Sequence, residues 1–508
     1  MEKEMLELSS DHMTKMEEDH NHQLSSSSFS PMAVPRIMTR SKGGLVTMPF
    51  IIANESLEKV ASYGLLPNMT FYLMKDYRMG VTTAQNLLFY WSSATNFLPL
   101  VGAFIADSYL GRFLVIGFGS IFSFLGAVLL WLTAMIPKAR PSPCDLSVQA
   151  CKSATPAQYT LLVSSFMLMS IGAGGVRPCS LAFGANQFDK PDNPNNKRVL
   201  ETFFNWFLNK ACIIKCPEDV KQDGVAVDPW NLRTVEQVED LKSLIRVMPL
   251  WSTGIMISIN LSQSSFPLLQ ANSMNRHITK SIEIPAGSFG MFTIIALTIW
   301  LVLYDRAILP LASRIRGKPV RLGTRERMGI GIFFSCMAML ISGIIEHIRR
   351  GKAIKQGLLN NPEGVVAMSA MWLIPQHCLN GIAEAFNAIG QTEFYYSELP
   401  KSMSSIAAAM FGLGMAVANL LASVILSNVD NLTKREGKES WVSSNINRGR
   451  YENYYWLLAI MTGFNLLYFM VCSWAYGPCV ENMSKKMVEG DGDMPQENVS
   501  SPLRPLPA

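Results

Sequence analysis

Charged residues are scarce in this sequence. Asp, Glu, Lys and Arg make up 16% of its 508 positions, against about a quarter in a soluble globular chain. The net charge of +5 is too mild, and no basic stripe with interleaved aromatics is present, so nucleic-acid binding is set aside. No Ser/His/Asp set, HExxH, Walker motif or EF-hand loop can be read, which leaves an enzyme reading without an anchor and implies neither metal nor cofactor. Cys212 and Cys216 lack a CxxC partner or a nearby His, so a zinc site is not expected there. Cys179, Cys336, Cys378 and Cys472 sit in apolar runs as packed thiols, whereas Cys144 and Cys151 share a polar loop and could pair if it faces an oxidising compartment. His277, His347 and His377 stand singly and read as structural.

Hydrophobic residues, in contrast, fill 49% of the chain. A membrane-spanning helix needs about 20 mostly apolar residues. Ten stretches qualify, at 46–75, 85–107, 113–136, 158–183, 244–265, 287–310, 327–346, 367–395, 403–427 and 453–476. The fold class implied is all-α, a polytopic membrane protein with about ten spans. Four spans (45–183) precede a hydrophilic cytoplasmic linker (184–243), and six (244–477) follow it. Residues 1–44 and 478–508 read as disordered cytoplasmic tails. An even count puts both ends on one side, and the basic loop 311–327, with Arg314, Arg316, Lys318, Arg321, Arg325 and Arg327, favours the cytoplasm. Bases in expected outer loops, Arg349, Arg350, Lys352 and Lys355 among them, pull the other way.

Several polar groups interrupt the apolar runs. In the first span, Glu55 and Lys59 are four apart and can pair while Glu58 stands beside them, leaving one carboxylate incompletely neutralised and able to carry a proton. A fixed ion-pair cluster is the structural alternative; charge inside a membrane favours use. Between spans two and three, Gly102, Asp107, Gly111 and Arg112 form a tight charged turn, a conformational latch between helix ends. Arg177 ends the fourth span after a run of glycines suited to close helix packing, and its guanidinium could fork onto a carboxylate or oxyanion or snorkel to the interface. Glu384 is isolated among apolar neighbours and needs an aqueous cavity or a cationic partner. Gln263, Tyr63 and Trp251 are weaker cavity candidates, the two aromatics being more often packing residues.

The Glu55-x-x-Glu58-Lys59 cluster, Gly102 to Arg112, Gly172 to Asp189, Phe203-Phe-Asn205-Trp206 and Asn380 to Tyr396 together resemble the proton-coupled oligopeptide and nitrate transporters of the major facilitator superfamily, in their plant branch. That resemblance covers nearly everything beyond residue 43. It implies symport of a small solute with protons by alternating access at a plasma membrane, with the first-helix carboxylates coupling the proton and with Arg177 and Glu384 lining a central cavity. Overall similarity to low-affinity nitrate carriers makes nitrate the leading substrate, with peptides, hormones and glucosylated metabolites as alternatives. Lys59 stands where Arg is common and Asn186 where Asp is usual, and 244–266 lacks the His that some nitrate-carrying relatives use. After Phe207 the sequence resembles the far end of the family's central loop, so helices five and six are expected to be missing and the amino-terminal bundle incomplete. A truncated, non-transporting isoform regulating a full-length sibling is the rival reading, and the resemblance leaves homo-oligomerisation open.

Overall fold

Apolar stretches in a bilayer must satisfy every backbone group internally, and the helices seen here do so. The structure, a computed structural model, describes residues 64–141, 153–186, 235–279, 282–317, 322–400, 403–434 and 439–476. The tails, Glu55, Glu58, Lys59 and Tyr63, most of the 184–243 linker, and Cys144, Cys151, Cys212 and Cys216 lie outside the described residues. Residues 64–75 form the described part of helix α1. Next come α2 (Val81–Ile105), α3 (Arg112–Met135), α4 (Pro156–Asn186), α5 (Val235–Ser262) and α6 (Ser265–Asn272). The run α7 (Ala286–Arg316) precedes α8 (Thr324–Lys355), α9 (Ile374–Glu398), α10 (Ser404–Thr433) and α11 (Tyr451–Tyr476).

Eight of the described helical runs are long and apolar enough to cross a membrane, and they sit on the second to seventh, ninth and tenth candidate stretches. The eighth stretch carries α9, which bears Glu384, Glu393 and Glu398 and falls outside that eight. Its first residues are not helical, because Val366–Ser369 forms a strand pairing in parallel with Met274–Asn275. The fifth stretch starts earlier than expected, at Val235, and is not one helix. Pro267 has no N–H to give the Gln263 carbonyl, so the helix stops at Ser262 and restarts at Ser265, with Phe266 N–H bonding Gln263 O at 3.1 Å instead.

Helices α2, α3 and α4 pack backbone to backbone. A Cβ on Gly102 would land on the Gly174 carbonyl oxygen, and one on Gly119 would lie 2.9 Å from Gly172 O and 3.0 Å from Gly175 Cα. Only glycine permits such approach, and lipid-phase helices gain van der Waals contact from it. The opposite face of α3 stays exposed, with Phe113, Phe118, Phe124 and Trp131 turned outward, as a helix apolar all round does against lipid. Polar contacts then join α2 to α10: Asn86 Nδ2 donates to Ser427 Oγ and Ser423 Oγ donates to Asn86 Oδ1, both at 2.9 Å.

The strongest polar cluster is buried at one end of α8. Arg349 Nε and Nη2 fork onto the two carboxylate oxygens of Glu346 at 2.8 and 2.7 Å, and both side chains are fully buried. Nη1 reaches Asn447 Oδ1 at 2.8 Å and Ser273 Oγ at 3.2 Å, Nη2 reaches Ile446 O at 3.0 Å, and Gln270 Nε2 donates to Glu346 at 2.8 Å. This corrects the loop reading of Arg349 and Arg350. Helix α8 runs on to Lys355, Arg349 is interior, and Arg350 contacts Glu452 at 3.3 Å. Both bases are therefore paired within the fold.

Replacing Arg349 by Met leaves a buried, unpaired carboxylate, and the expected loss is about 3–5 kcal/mol, read as a lowered melting temperature of purified protein; Glu346→Leu added to Arg349→Met should restore part of it. In the loop before α11, Arg448 donates to Glu439 and Ser443 Oγ supports it, and the Arg448 bond holds the Glu439 carboxyl below its ordinary value. A depressed folded-state value stabilises above the unfolded one and is lost as pH falls through the folded one. The protection factors of amides in 439–450, corrected for the intrinsic exchange rate at each pH, should therefore fall on acidification below about pH 4, and Glu439→Gln should remove that acid dependence.

Candidate functional site

The break between α5 and α6 opens onto a cavity of about 290 Å³. Its wall takes Leu66 and Thr70 from α1, Gln85 and Ser92 from α2, Asn260 to Ser265 around the break, Thr293 from α7, His377, Asn380 and Glu384 from α9, and Asn419 from α10. The Pro267 break turns the ends of two half-helices toward the space, and the Ser and Gln residues between them supply short polar groups there.

Hydrogen bonds hold this wall in place. Gln263 Nε2 donates to Ile259 O at 3.1 Å while its Oε1 accepts from Tyr454 OH at 3.2 Å. Asn260 Nδ2 donates to Ser335 Oγ and to Thr462 Oγ1, both at 2.9 Å. Thr293 Oγ1 and His377 Nδ1 lie 3.1 Å apart. Four wall residues carry an atom without a partner: Gln85 Oε1, Asn260 Oδ1, Asn380 Oδ1 and His377 Nε2. Among the described residues no His, Cys, Asp and Glu cluster could hold a metal.

The sequence-predicted site residues are distributed unevenly about this space. Glu384 and Gln263 line it. Trp251 is buried in the core, its indole N–H donating to Met410 O at 2.9 Å, and is not among the wall residues. Arg177 is half-buried on α4 and is likewise not among them. Of the residues expected to form a latch, Gly102 is the close contact to Gly174. Asp107 falls in a widened helical turn, Ala106–Leu110, Gly111 has φ 76°, and Arg112 opens α3 half-buried. Gln85, Asn260, Asn380 and Asn419 line the cavity though the sequence reading does not mark them, and so does His377, read there as structural; for the four amides the available signal was an amide within an apolar helix, which has to find a partner or a cavity.

Membrane-length helices packed around a cavity with polar groups in a largely apolar wall fit one class, a multi-pass membrane transporter. The family model for PTR2, the POT family, matches residues 113–213 and 214–442, and the chain belongs to that family. It is 50% identical to Protein NRT1/ PTR FAMILY 1.2 of Arabidopsis thaliana, covering 89% of this chain and 92% of that one. It is 49% identical to Protein NRT1/ PTR FAMILY 1.1 of the same plant, covering 90% and 95%. The 561 positions of the first alignment draw on 89% of 508 residues, so about 110 of them are gaps in this chain. In fold it is similar to an auto-inhibited POT family peptide transporter, with a TM-score of 0.61 at 16% identity over 84% of this chain and 96% of that one. Family and fold are those of transporters, not of enzymes.

Gly102→Val should overpack the α2–α4 contact by about 3 kcal/mol or more, and the expected result is a sharp loss of monodisperse protein in detergent size exclusion while Gly117→Val, which meets open space, behaves as the parent.

Proposed function

We propose that this chain is a proton-coupled symporter of a small solute, working by alternating access in the plasma membrane. The observation that carries the reading is Glu384 in the wall of an internal cavity beside a broken helix. Discontinuous helices at a midplane site are a recurrent transporter device, since their free ends and unwound backbone face the ligand. In this reading Glu55 and Glu58, tuned by Lys59, carry protons. Arg177 is an oxyanion or carboxylate partner on the path, and the turn from Gly102 through Asp107 and Gly111 to Arg112 latches alternate states. Nitrate is the first substrate to test. Its entry against an inside-negative potential, worth roughly 2.3 kcal/mol per charge per 100 mV, needs more than one proton per anion, which a cluster of several titratable groups can supply.

Two observations support a further reading, that a two-helix segment of the relatives is missing here. The family match divides between residues 213 and 214, and about 110 alignment positions are gaps in this chain. Transport by this form is then impaired relative to one with the segment restored.

In oocytes under voltage clamp, the restored form should give acid-dependent inward currents with its substrate. Glu58→Gln and Glu384→Gln should each reduce them about tenfold or more. Currents that ignore both substitutions would remove the coupling assignment, and equal uptake by the two forms would remove the impairment.

A further inference from the structure

The run α7, Ala286–Arg316, is longer than a bilayer requires. Its 31 residues rise about 46 Å at roughly 1.5 Å each, whereas a hydrocarbon core is about 30 Å thick, so roughly ten residues stand beyond it. Ile295, Ile299, Val302 and Leu303 are about half exposed, the lipid-facing surface of a helix that is apolar on its outer side. That surface does not stop where the hydrocarbon should. After the widened turn Tyr304–Ile308 the helix continues as Leu309–Arg316, and there Leu311 and Ile315 are 60% and 77% exposed.

The charge changes at the same place. From Arg306 to Arg325 the sequence carries six bases and no acid, and Arg306, Arg314 and Arg316 are exposed. At about 100° per residue, Leu311, Ala312 and Ile315 form a stripe about 100° wide, and Arg314 and Arg316 stand about 40–60° beyond its two edges. Arginine stems can cover such a stripe while the guanidiniums reach past it to headgroups, as in helices that lie in a membrane interface. Arginines in a last turn also complement the negative end of the helix dipole, but that role leaves Leu311 and Ile315 uncovered. A bilayer covers them, because their surface runs on from the lipid-facing side chains of the same helix.

We propose that this end of α7 is a binding surface for anionic phospholipid, with Arg314 and Arg316 holding phosphate headgroups and acyl chains lying along Leu311 and Ile315. In the orientation expected from the basic loop that follows, it meets the cytoplasmic leaflet, where anionic lipids attract juxtamembrane bases. The inference is independent of the cavity and of the solute carried.

Purified protein in phosphatidylcholine nanodiscs is given rising fractions of phosphatidylglycerol, following thermal unfolding. The melting temperature should rise in a saturable way. Arg314→Gln and Arg316→Gln should each weaken that response about fivefold, the equivalent of ~1 kcal/mol, and together abolish it. Both positions are exposed, so these variants keep the fold, and Arg314→Lys with Arg316→Lys, which keeps the charge, should keep most of the response. Lys352→Gln with Lys355→Gln removes the same charge from exposed positions at the far end of α8 and should respond as the parent does. Glycerol 3-phosphate added to phosphatidylcholine discs should have no effect, since it brings no acyl chain to the stripe. A melting temperature indifferent to phosphatidylglycerol overturns the proposal. So does an equal loss of response in the Lys352 and Lys355 variant, which makes the effect one of net charge, and so does stabilisation by glycerol 3-phosphate alone, which makes the site one for free phosphate. Arginine variants that melt below the parent by as much in pure phosphatidylcholine as in the mixture assign the arginines to a contact within the protein and overturn it as well.

Discussion

A buried guanidinium and carboxylate on one helix hold the second half of this bundle in register. Arg349 and Glu346 satisfy each other along two parallel hydrogen bonds, and the guanidinium protons left over are spent on Ser273, Ile446 and Asn447. Asn447 in turn donates to the carbonyls of Leu358 and Asn361. Segments far apart in sequence meet on this pair: the end of α6, the turn after α8 and the loop before α11. Taking two charges out of water is unfavourable unless nearly every proton and lone pair is matched. The matching here therefore ties the position of each segment to the others, and a shift in one would strand a charge.

The cavity depends on that anchoring. Because Pro267 interrupts the helix, α6 is only Ser265–Asn272 and needs tertiary contacts to stay folded at that length. Gln270 binds it to Glu346, and Phe266 is clamped edge-on by Tyr451 and Tyr454 at 5.4 Å from each ring. A short helix fixed at its far end and joined at its near end through a turn, where the helical ladder is interrupted, leaves the polar residues of the break facing a space. The amides of α2, α9 and α10 face the same space from other sides.

The amino-terminal helices follow a different physics. Glycine contacts let α2, α3 and α4 approach until backbones touch. The same helices expose large apolar side chains on their outer faces. Both features fit a solvent in which hydrophobic burial contributes nothing between helices and close packing contributes most.

Hydropathy alone determined that this is an all-α membrane protein and where most spans lie, because a 20-residue apolar run has few other fates. Residue identity alone also marked Glu384, Gln263 and the close-packing glycines before Arg177, since an isolated acid, a mid-membrane amide and a glycine run stand out against apolar surroundings, whereas Gly102, read as part of a turn, meets Gly174 only in the fold. The tertiary structure decided what one-dimensional reading treats alike. Arg349 and Lys352 are both bases near a helix end, yet Arg349 is interior because Glu346 lies three residues before it and Asn447 is brought beside it by the fold. Trp251 and Asn260 both lie on α5, yet the core takes the indole and the cavity wall takes the amide. Which face of a broken helix meets a space, and which meets a neighbour, is set by the other helices around it, and no periodicity within the helix encodes that.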